Sequence, residues 1–450
     1  MKKYFIFIFL LLFVLDVNSQ NILRKAYMGI KTSELTDSIA KSLGVKEKNG
    51  VLVNEVLPSS TGEKLQLQKN DVILKINSAI TLTVKDYQST VKNIRENDTV
   101  ALLVSRGKNE KLLLAQAVGK AYETSESYDV IYDEVKFMEG YLRIIVNKPK
   151  AEGKHKTILF IPGYMCYSLD NIGKHPYGQL VQKFCEKGYV VVRVEKPGEG
   201  DNTNTPDCKE IGFNTETDAF SAGYEKLKTY NFVDTSNIFI FGHSLGAIEA
   251  PVLAAKYQPK GIVLCGTSSV SWFEYIISMF RFQNIITGAD YVENEKLIKQ
   301  ITPLLYKLLV EKQTPFELAK NPEYETLLST WMEYDGGDHI WARHYSFWQE
   351  LQEVNQPHLL KTYNGYVLSV RGAGDFEAFS TEDHQKIADI VNAYHPGHGT
   401  FKLIPNMDHA FAKSNTPEES YKNGLTQGYY YNNFNNAIIK KVDDWINTLK

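Results

Sequence analysis

The chain has 450 residues, 43% hydrophobic and 23% charged, with a formal net charge of −3. That length exceeds one compact domain and the composition supports sizeable cores, so two domains are expected. A near-balanced charge, with no basic stripe interleaved with aromatics, excludes a nucleic-acid binder.

Lys2 and Lys3 precede an apolar run from Tyr4 to Leu15, followed by Asp16-Val17-Asn18-Ser19-Gln20. A positive n-region, a short h-region and small or apolar residues at Val17 and Ser19 read as a signal peptide, residues 1–19, cleaved after Ser19. The run is short for a membrane span, so a periplasmic or secreted protein with no stable span after cleavage is expected. Export permits disulfides. Cys185 and Cys265 lie in apolar segments and read as free and buried. Cys166 and Cys208 lie in loops expected on one face, where a bridge and two free thiols are both open readings.

Residues 21–120 form a first unit. Val51-Leu52-Val53 after the Asn49-Gly50 turn signal and Asp71 to Ile76 read as short strands. Thr83 to Ile94 carries Val84, Tyr87, Val91 and Ile94 on one helical stripe. Val100 to Val104 and Lys111 to Ala115 read as a hairpin around Gly107-Lys108-Asn109. Many short strands with one or two helices make a small β-rich module.

The order of these features resembles a PDZ domain of the kind attached to bacterial envelope proteases. Tyr27-Met28-Gly29-Ile30 matches the carboxylate-binding loop, Gly50 to Val56 with Pro58-Ser59-Ser60 the next strand and turn, and Leu67 to Ile73 a further family stretch. Gln66 and Asn70 depart from it, standing where glycine is usual. The resemblance implies binding of a peptide C-terminus by β-augmentation at Tyr27, Met28, Gly29 and Ile30. A module that only packs against its neighbour or pairs protomers is the alternative.

Residues 121–130 are polar and aperiodic, which reads as a linker. From 131 to 450 apolar strands alternate with helical stretches. The strands are Tyr141–Val146, Thr157–Ile161, Tyr189–Val194, Ile238–Phe241, Gly261–Cys265, Gly365–Val370 and Thr400–Ile404. Such alternation predicts a mostly parallel sheet with helices on both faces. From about 270 to 362 no core strand is apparent, and the stretch is helix-rich and aromatic, as an insertion roofing a site would be.

Gly242-His243-Ser244-Leu245-Gly246 sits between an apolar strand and a helix-compatible segment, the pattern of a nucleophile elbow. This second unit resembles an α/β-hydrolase, whose triad runs Ser, then acid, then His. Asp375 lies in a glycine-rich loop after the strand ending at Val370, and His409 follows the strand ending at Ile404. The resemblance implies Ser244 as nucleophile, His409 as base and Asp375 as the carboxylate that orients it. Glu377, Asp383 and Asp408 are rivals for the acid, His395 and His398 for the base. It implies oxyanion donors at the backbone of Leu245 and of Tyr164, the latter in Ile161-Pro162-Gly163-Tyr164-Met165.

No metal site, Walker loop or dinucleotide fingerprint is recognisable, so no cofactor is expected. The fold class is therefore α/β: an α/β-hydrolase sheet with a helical cap insertion, preceded by a small β-rich PDZ-like domain. The expected function is an exported serine hydrolase acting on a small ester or acyl substrate. A peptidase or amidase of the same fold and a non-enzymatic peptide-binding scaffold are the alternatives.

Overall fold

The computed structural model describes residues 21–46 and 49–449. The predicted signal peptide, residues 1–19, lies outside the described residues.

The first unit contains, in chain order, β1 (Ile30–Glu34), α1 (Asp37–Leu43), β2 (Val51–Val56), α2 (Thr61–Lys64), β3 (Val72–Ile76), β4 (Ala79–Ile80), α3 (Val84–Val91), β5 (Thr99–Arg106) and β6 (Asn109–Gln116). Its sheet runs β1-β2-β3-β5-β6, with β4 paired to β3. In β5 the alternate residues Val100, Leu102 and Val104 are all buried, as the two-residue period of a strand requires. The α3 helix starts at Thr83, whose hydroxyl accepts from the Asp86 N–H while the Asp86 carboxylate accepts from Thr83 N–H. This reciprocal cap satisfies two otherwise orphaned donors and turns Tyr87 into the core.

The second unit begins with β7 (Tyr128–Phe137), β8 (Gly140–Pro149), β9 (His155–Ile161), α4 (Pro176–Glu186), β10 (Val190–Val194), α5 (Phe213–Leu227), β11 (Val233–His243), α6 (Gly246–Tyr257) and β12 (Gly261–Cys265). An insertion follows: α7 (Trp272–Ile286), α8 (Tyr291–Leu305), α9 (Pro315–Leu318), α10 (Pro322–Trp331), a hairpin of β13 (His339–Ile340) and β14 (Arg343–His344), α11 (Tyr345–Gln352) and α12 (Gln356–Thr362). The chain closes with β15 (Tyr366–Gly372), α13 (Thr381–Tyr394), β16 (Gly399–Ile404), α14 (Pro417–Gly424), α15 (Tyr429–Asn432) and α16 (Ala437–Thr448).

The large sheet has the order β7-β8-β10-β9-β11-β12-β15-β16. Its β7–β8 and β8–β10 pairs are antiparallel and the others parallel. This is the strand order of the α/β-hydrolase fold. Every residue of β10 and of β12 is buried, because helices cover both faces of a parallel sheet. Helices α5, α6 and α13 close one face, α4 and α16 the other. The insertion has its own core, including Ile301, Leu308 and Phe347, which is continuous with Leu245 and Ile248 of the elbow. Among the described residues no helix is long and apolar enough to cross a membrane.

Two sequence expectations change. The segment 121–130 is not a free linker, because β7 already starts at Tyr128. Ala121 O accepts from Arg24, and Glu123 pairs with Arg193 at 2.8 Å. The strand was obscured by Asp129 and Asp133, which are neutralised from outside it by Lys148 at 3.2 Å and Lys226 at 2.9 Å. The insertion is also not wholly helical, since β13 and β14 form a short hairpin within it.

Candidate active site

Strand β11 ends at His243 and α6 starts at Gly246, leaving Ser244 in a turn at φ 56°. A side chain in the left-handed region is strained and persists only where its surroundings hold it. Here the Ser244 N–H donates to Cys265 O at 2.9 Å. A Cβ on Gly242 would lie 2.2 Å from Gly246 O, and one on Gly246 would lie 2.4 Å from Ile161 O. Both glycines are therefore needed for strand and helix to close around the serine.

His409 follows β16, and its Nδ1 lies 3.0 and 3.1 Å from the two carboxylate oxygens of Asp375. Asp375, buried in the loop after β15, is itself held: its Oδ1 accepts from Glu377 N–H at 2.9 Å and Ala378 N–H at 2.7 Å. Burial opposes the Asp375 charge, but His409 and these bonds outweigh it and bring its pKa down to about 2. Burial likewise opposes an imidazolium at His409. The negative charges of Asp375 and Glu377 outweigh that and push its pKa up to about 10. Glu377 is half-exposed, with Oε2 3.4 Å from His409 Nε2. Among the described residues no hydrogen bond joins Ser244 Oγ to His409.

Ser244, His409, Tyr164 and Glu377 lie where two cavities meet. One, of about 380 Å³, runs under the insertion between Trp272, Ile276, Met279, Trp341 and Trp348. The other, of about 510 Å³, leads toward Tyr167, His175 and Tyr430. The Leu245 and Tyr164 N–H groups have no acceptor among the described residues, and a Cβ on Gly163 would stand 3.5 Å from Ser244 Oγ. Cys166 is bridged to Cys208, tying this loop to the turn before α5, while Cys185 and Cys265 are free and buried.

The rival residues are engaged elsewhere. Asp408 accepts from Ala412 N–H at 2.8 Å, and Asp383 accepts from the Ser268 hydroxyl at 2.7 Å. His395 and His398 bond to the carbonyls of Lys361 and Asn364, before β16 rather than after it. Sequence reasoning passed over His243 and Tyr177. His243 is buried and neutral, since desolvation drives its pKa well below the usual imidazole value. Its Nε2 faces His409 O at 2.8 Å and must carry the proton, so Nδ1 accepts from the Tyr177 hydroxyl at 2.7 Å. Tyr177 in turn accepts from Gly163 N–H at 3.2 Å. This chain of bonds couples the His409 backbone to the loop that bears Tyr164. A histidine just after the apolar run Ile238–Phe241 was the available signal.

In the first unit, Tyr27, Met28, Gly29 and Ile30 lead into β1, which among the described residues is an edge strand paired only with β2. Gly29 has φ 60°, and a Cβ there would lie 2.2 Å from Ser60 Cβ. The Met28 and Gly29 N–H groups have no acceptor among the described residues. Gln66 and Asn70 both adopt the left-handed backbone that glycine would, at φ 55° and 74°. Residues 26–115 match the PDZ domain family. This unit is a PDZ domain.

Over 121 residues the chain is 28% identical to a probable periplasmic serine endoprotease DegP-like of Rickettsia prowazekii, covering 27% of this chain and 22% of that protein. The match thus spans about a fifth of that relative's length. Over 250 residues it is 22% identical to esterase EstD of Thermotoga maritima, covering 53% of this chain and 60% of that one. Est1E from Butyrivibrio proteoclasticus is a structural neighbour with a TM-score of 0.39 at 15% identity, covering 62% of this chain and 90% of Est1E.

The PDZ domain is pinned to the second unit by Arg24, which is fully buried. Its guanidinium pairs with Asp201 and, at 2.8 Å, with Asp170. It also donates to Lys120 O and Ala121 O and packs over the Tyr122 and Tyr132 rings. A buried charge satisfied on every side in this way defines one docking geometry. Arg95 adds a bond from Nη2 to Asn202 O at 2.9 Å.

Proposed function

We propose that the chain is an exported serine hydrolase that cleaves carboxylic esters through an acyl-enzyme on Ser244. The observation that carries this reading is His409, held at Nδ1 by both oxygens of buried Asp375 and lining one cavity with a serine on a strained elbow. With Nδ1–H committed to Asp375, Nε2 is the free base. It takes the Ser244 proton as Oγ attacks the ester carbonyl. The resulting oxyanion is met by the free N–H groups of Leu245 and Tyr164. Collapse expels the alkoxide, protonated by the imidazolium, and water activated by the same nitrogen releases the acid. The tryptophan-lined cavity under the insertion takes the acyl group, with residues 270–362 acting as a cap. EstD, an esterase by its description, supports the same choice.

In this reading residues 131–450 catalyse and residues 21–120 bind a peptide C-terminus, with export delivering both to the periplasm or medium. Acyl nitrophenyl esters of graded length, run beside peptidyl nitroanilides and a fluorophosphonate probe, test it. Ester turnover with labelling at Ser244 is the expected result. Preferential anilide cleavage would move the assignment to a peptidase, and folded protein that neither labels nor turns over would make it a scaffold.

The pH profile has a defined sign. Only neutral His409 accepts the serine proton, and Asp375 and Glu377 favour the charged ring. Thus kcat/KM is expected to rise with pH, with a midpoint alkaline of the ordinary imidazole value of about 6.5. Glu377→Gln removes one of the two negative charges and is expected to move that midpoint down by roughly half to one pH unit. A midpoint that does not move would show that Glu377 leaves the base untouched.

For the PDZ domain, the free Met28 and Gly29 N–H groups make a terminal carboxylate the expected ligand. In the full chain, amidating the C-terminus of a bound peptide is expected to weaken it by about tenfold or more, the value of a charge-assisted contact. Fluorescence anisotropy reads this, and equal affinity of acid and amide forms would argue for a packing module instead.

A further inference from the structure

Behind the loop that carries Tyr164 lies a buried set of charges that the mechanism above does not use. Lys196 follows β10, and Glu216 belongs to α5; both are almost wholly buried. Arg343, also buried, comes from β14 of the insertion. Lys196 Nζ stands 2.7 Å from Glu216 Oε1, and Arg343 Nη2 stands 2.6 Å from Glu216 Oε2. Each cation then reaches the loop: Lys196 Nζ donates to Gly163 O at 2.6 Å, and Arg343 Nη1 to Tyr164 O at 2.7 Å.

We propose that Lys196 is a positioning residue for the oxyanion site, aiming and polarising the Tyr164 N–H through the carbonyl of Gly163. Gly163 C=O and Tyr164 N–H are the two ends of one peptide unit. That unit is planar and trans, so its C=O and N–H point in opposite directions. Anchoring the oxygen on a buried ammonium therefore sets the direction of the N–H. The cation also draws electron density onto the oxygen, through the same amide resonance that makes the unit planar, and so strengthens the N–H as a donor. Tyr164 N–H has no acceptor within the described residues, and Tyr164 lines both cavities beside Ser244. Arg343 holds the next carbonyl, so the insertion contributes to the same loop that the Cys166–Cys208 bridge restrains. A charge buried at this depth is costly unless paired, and Glu216 supplies the pairing.

The assignment rests on the Ser244 hydrolase reading, and its test separates the two. Lys196→Met leaves Arg343 and Glu216 as a one-to-one pair beside Glu249, whose carboxyl is held toward its neutral form by burial and by Glu216, so the cluster stays balanced. The contact acts on the oxyanion and not on bound ester, so kcat is expected to fall about 10- to 100-fold with KM within about twofold. Affinity for phenylboronic acid, which forms a tetrahedral adduct on the serine, is expected to fall in parallel. A kcat within about threefold of the parent, or undiminished boronate affinity, would overturn the assignment. Should Lys196→Met not fold, Lys196→Leu removes the same ammonium and its bond to Gly163 O with a shorter apolar side chain. It is expected to lower kcat at constant KM, and an unchanged kcat overturns the proposal there too. If the parent protein neither turns over esters nor labels at Ser244, the hydrolase reading falls and this assignment with it. If the parent is active and the variants match it, only the role of Lys196 falls.

Discussion

Ser244→Ala is expected to lower ester kcat by about 10^5- to 10^6-fold, the loss typical of removing a triad nucleophile. The fold should survive the change. Ser244 Oγ makes no hydrogen bond among the described residues, and alanine keeps the Cβ that already tolerates φ 56°. The melting temperature is therefore expected to stay within about 2 °C of the parent. Loss of fluorophosphonate labelling should accompany the loss of turnover. Residual activity above about 1% would instead point to another hydroxyl on the same cavity. Thr267 and Ser268 both line it, and Ser268 is tied to Asp383.

Asp375→Asn is expected to cost about 10^4-fold in kcat, the effect seen when a triad histidine is held in the wrong tautomer. The reason lies in how Asp375 is held. Its Oδ1 accepts two backbone N–H groups, from Glu377 and Ala378, so the amide oxygen of asparagine must take that place. The amide NH2 is then left facing His409 Nδ1, where the carboxylate had accepted a hydrogen bond. His409 must answer as an acceptor at Nδ1 and carry its proton on Nε2, where it cannot receive one from Ser244. Binding should be little affected, so KM is expected to hold while kcat falls. An Asp375→Asn enzyme within about tenfold of the parent would show that His409 keeps its working tautomer without the Asp375 carboxylate.

The sequence by itself determined the order of the parts. Unbroken apolar runs at Val100–Val104, Ile158–Ile161 and Gly261–Cys265 are local properties, and each became the strand it describes. The glycines around Ser244 were equally legible, because a turn that excludes a Cβ leaves few residue choices. Even Gln66 and Asn70, which looked like departures from a PDZ pattern, kept the backbone conformation that glycine would supply.

What the tertiary structure alone decided are contacts between residues far apart in the chain. The strand at Tyr128–Phe137 is hidden by its acidic residues, whose charges are met only when Lys148 and Lys226 fold beside them. The Cys166–Cys208 bridge joins residues 42 apart, one of several pairings that spacing would allow. The contacts of Glu377 with His409, of His243 with Tyr177 and the His409 carbonyl, and of Lys196 with Gly163 are written in no motif. Their importance lies in burial and direction. A buried charge or a neutral imidazole acquires its role from the one partner that three-dimensional packing leaves within reach, and the low-dielectric surroundings make that single contact strong.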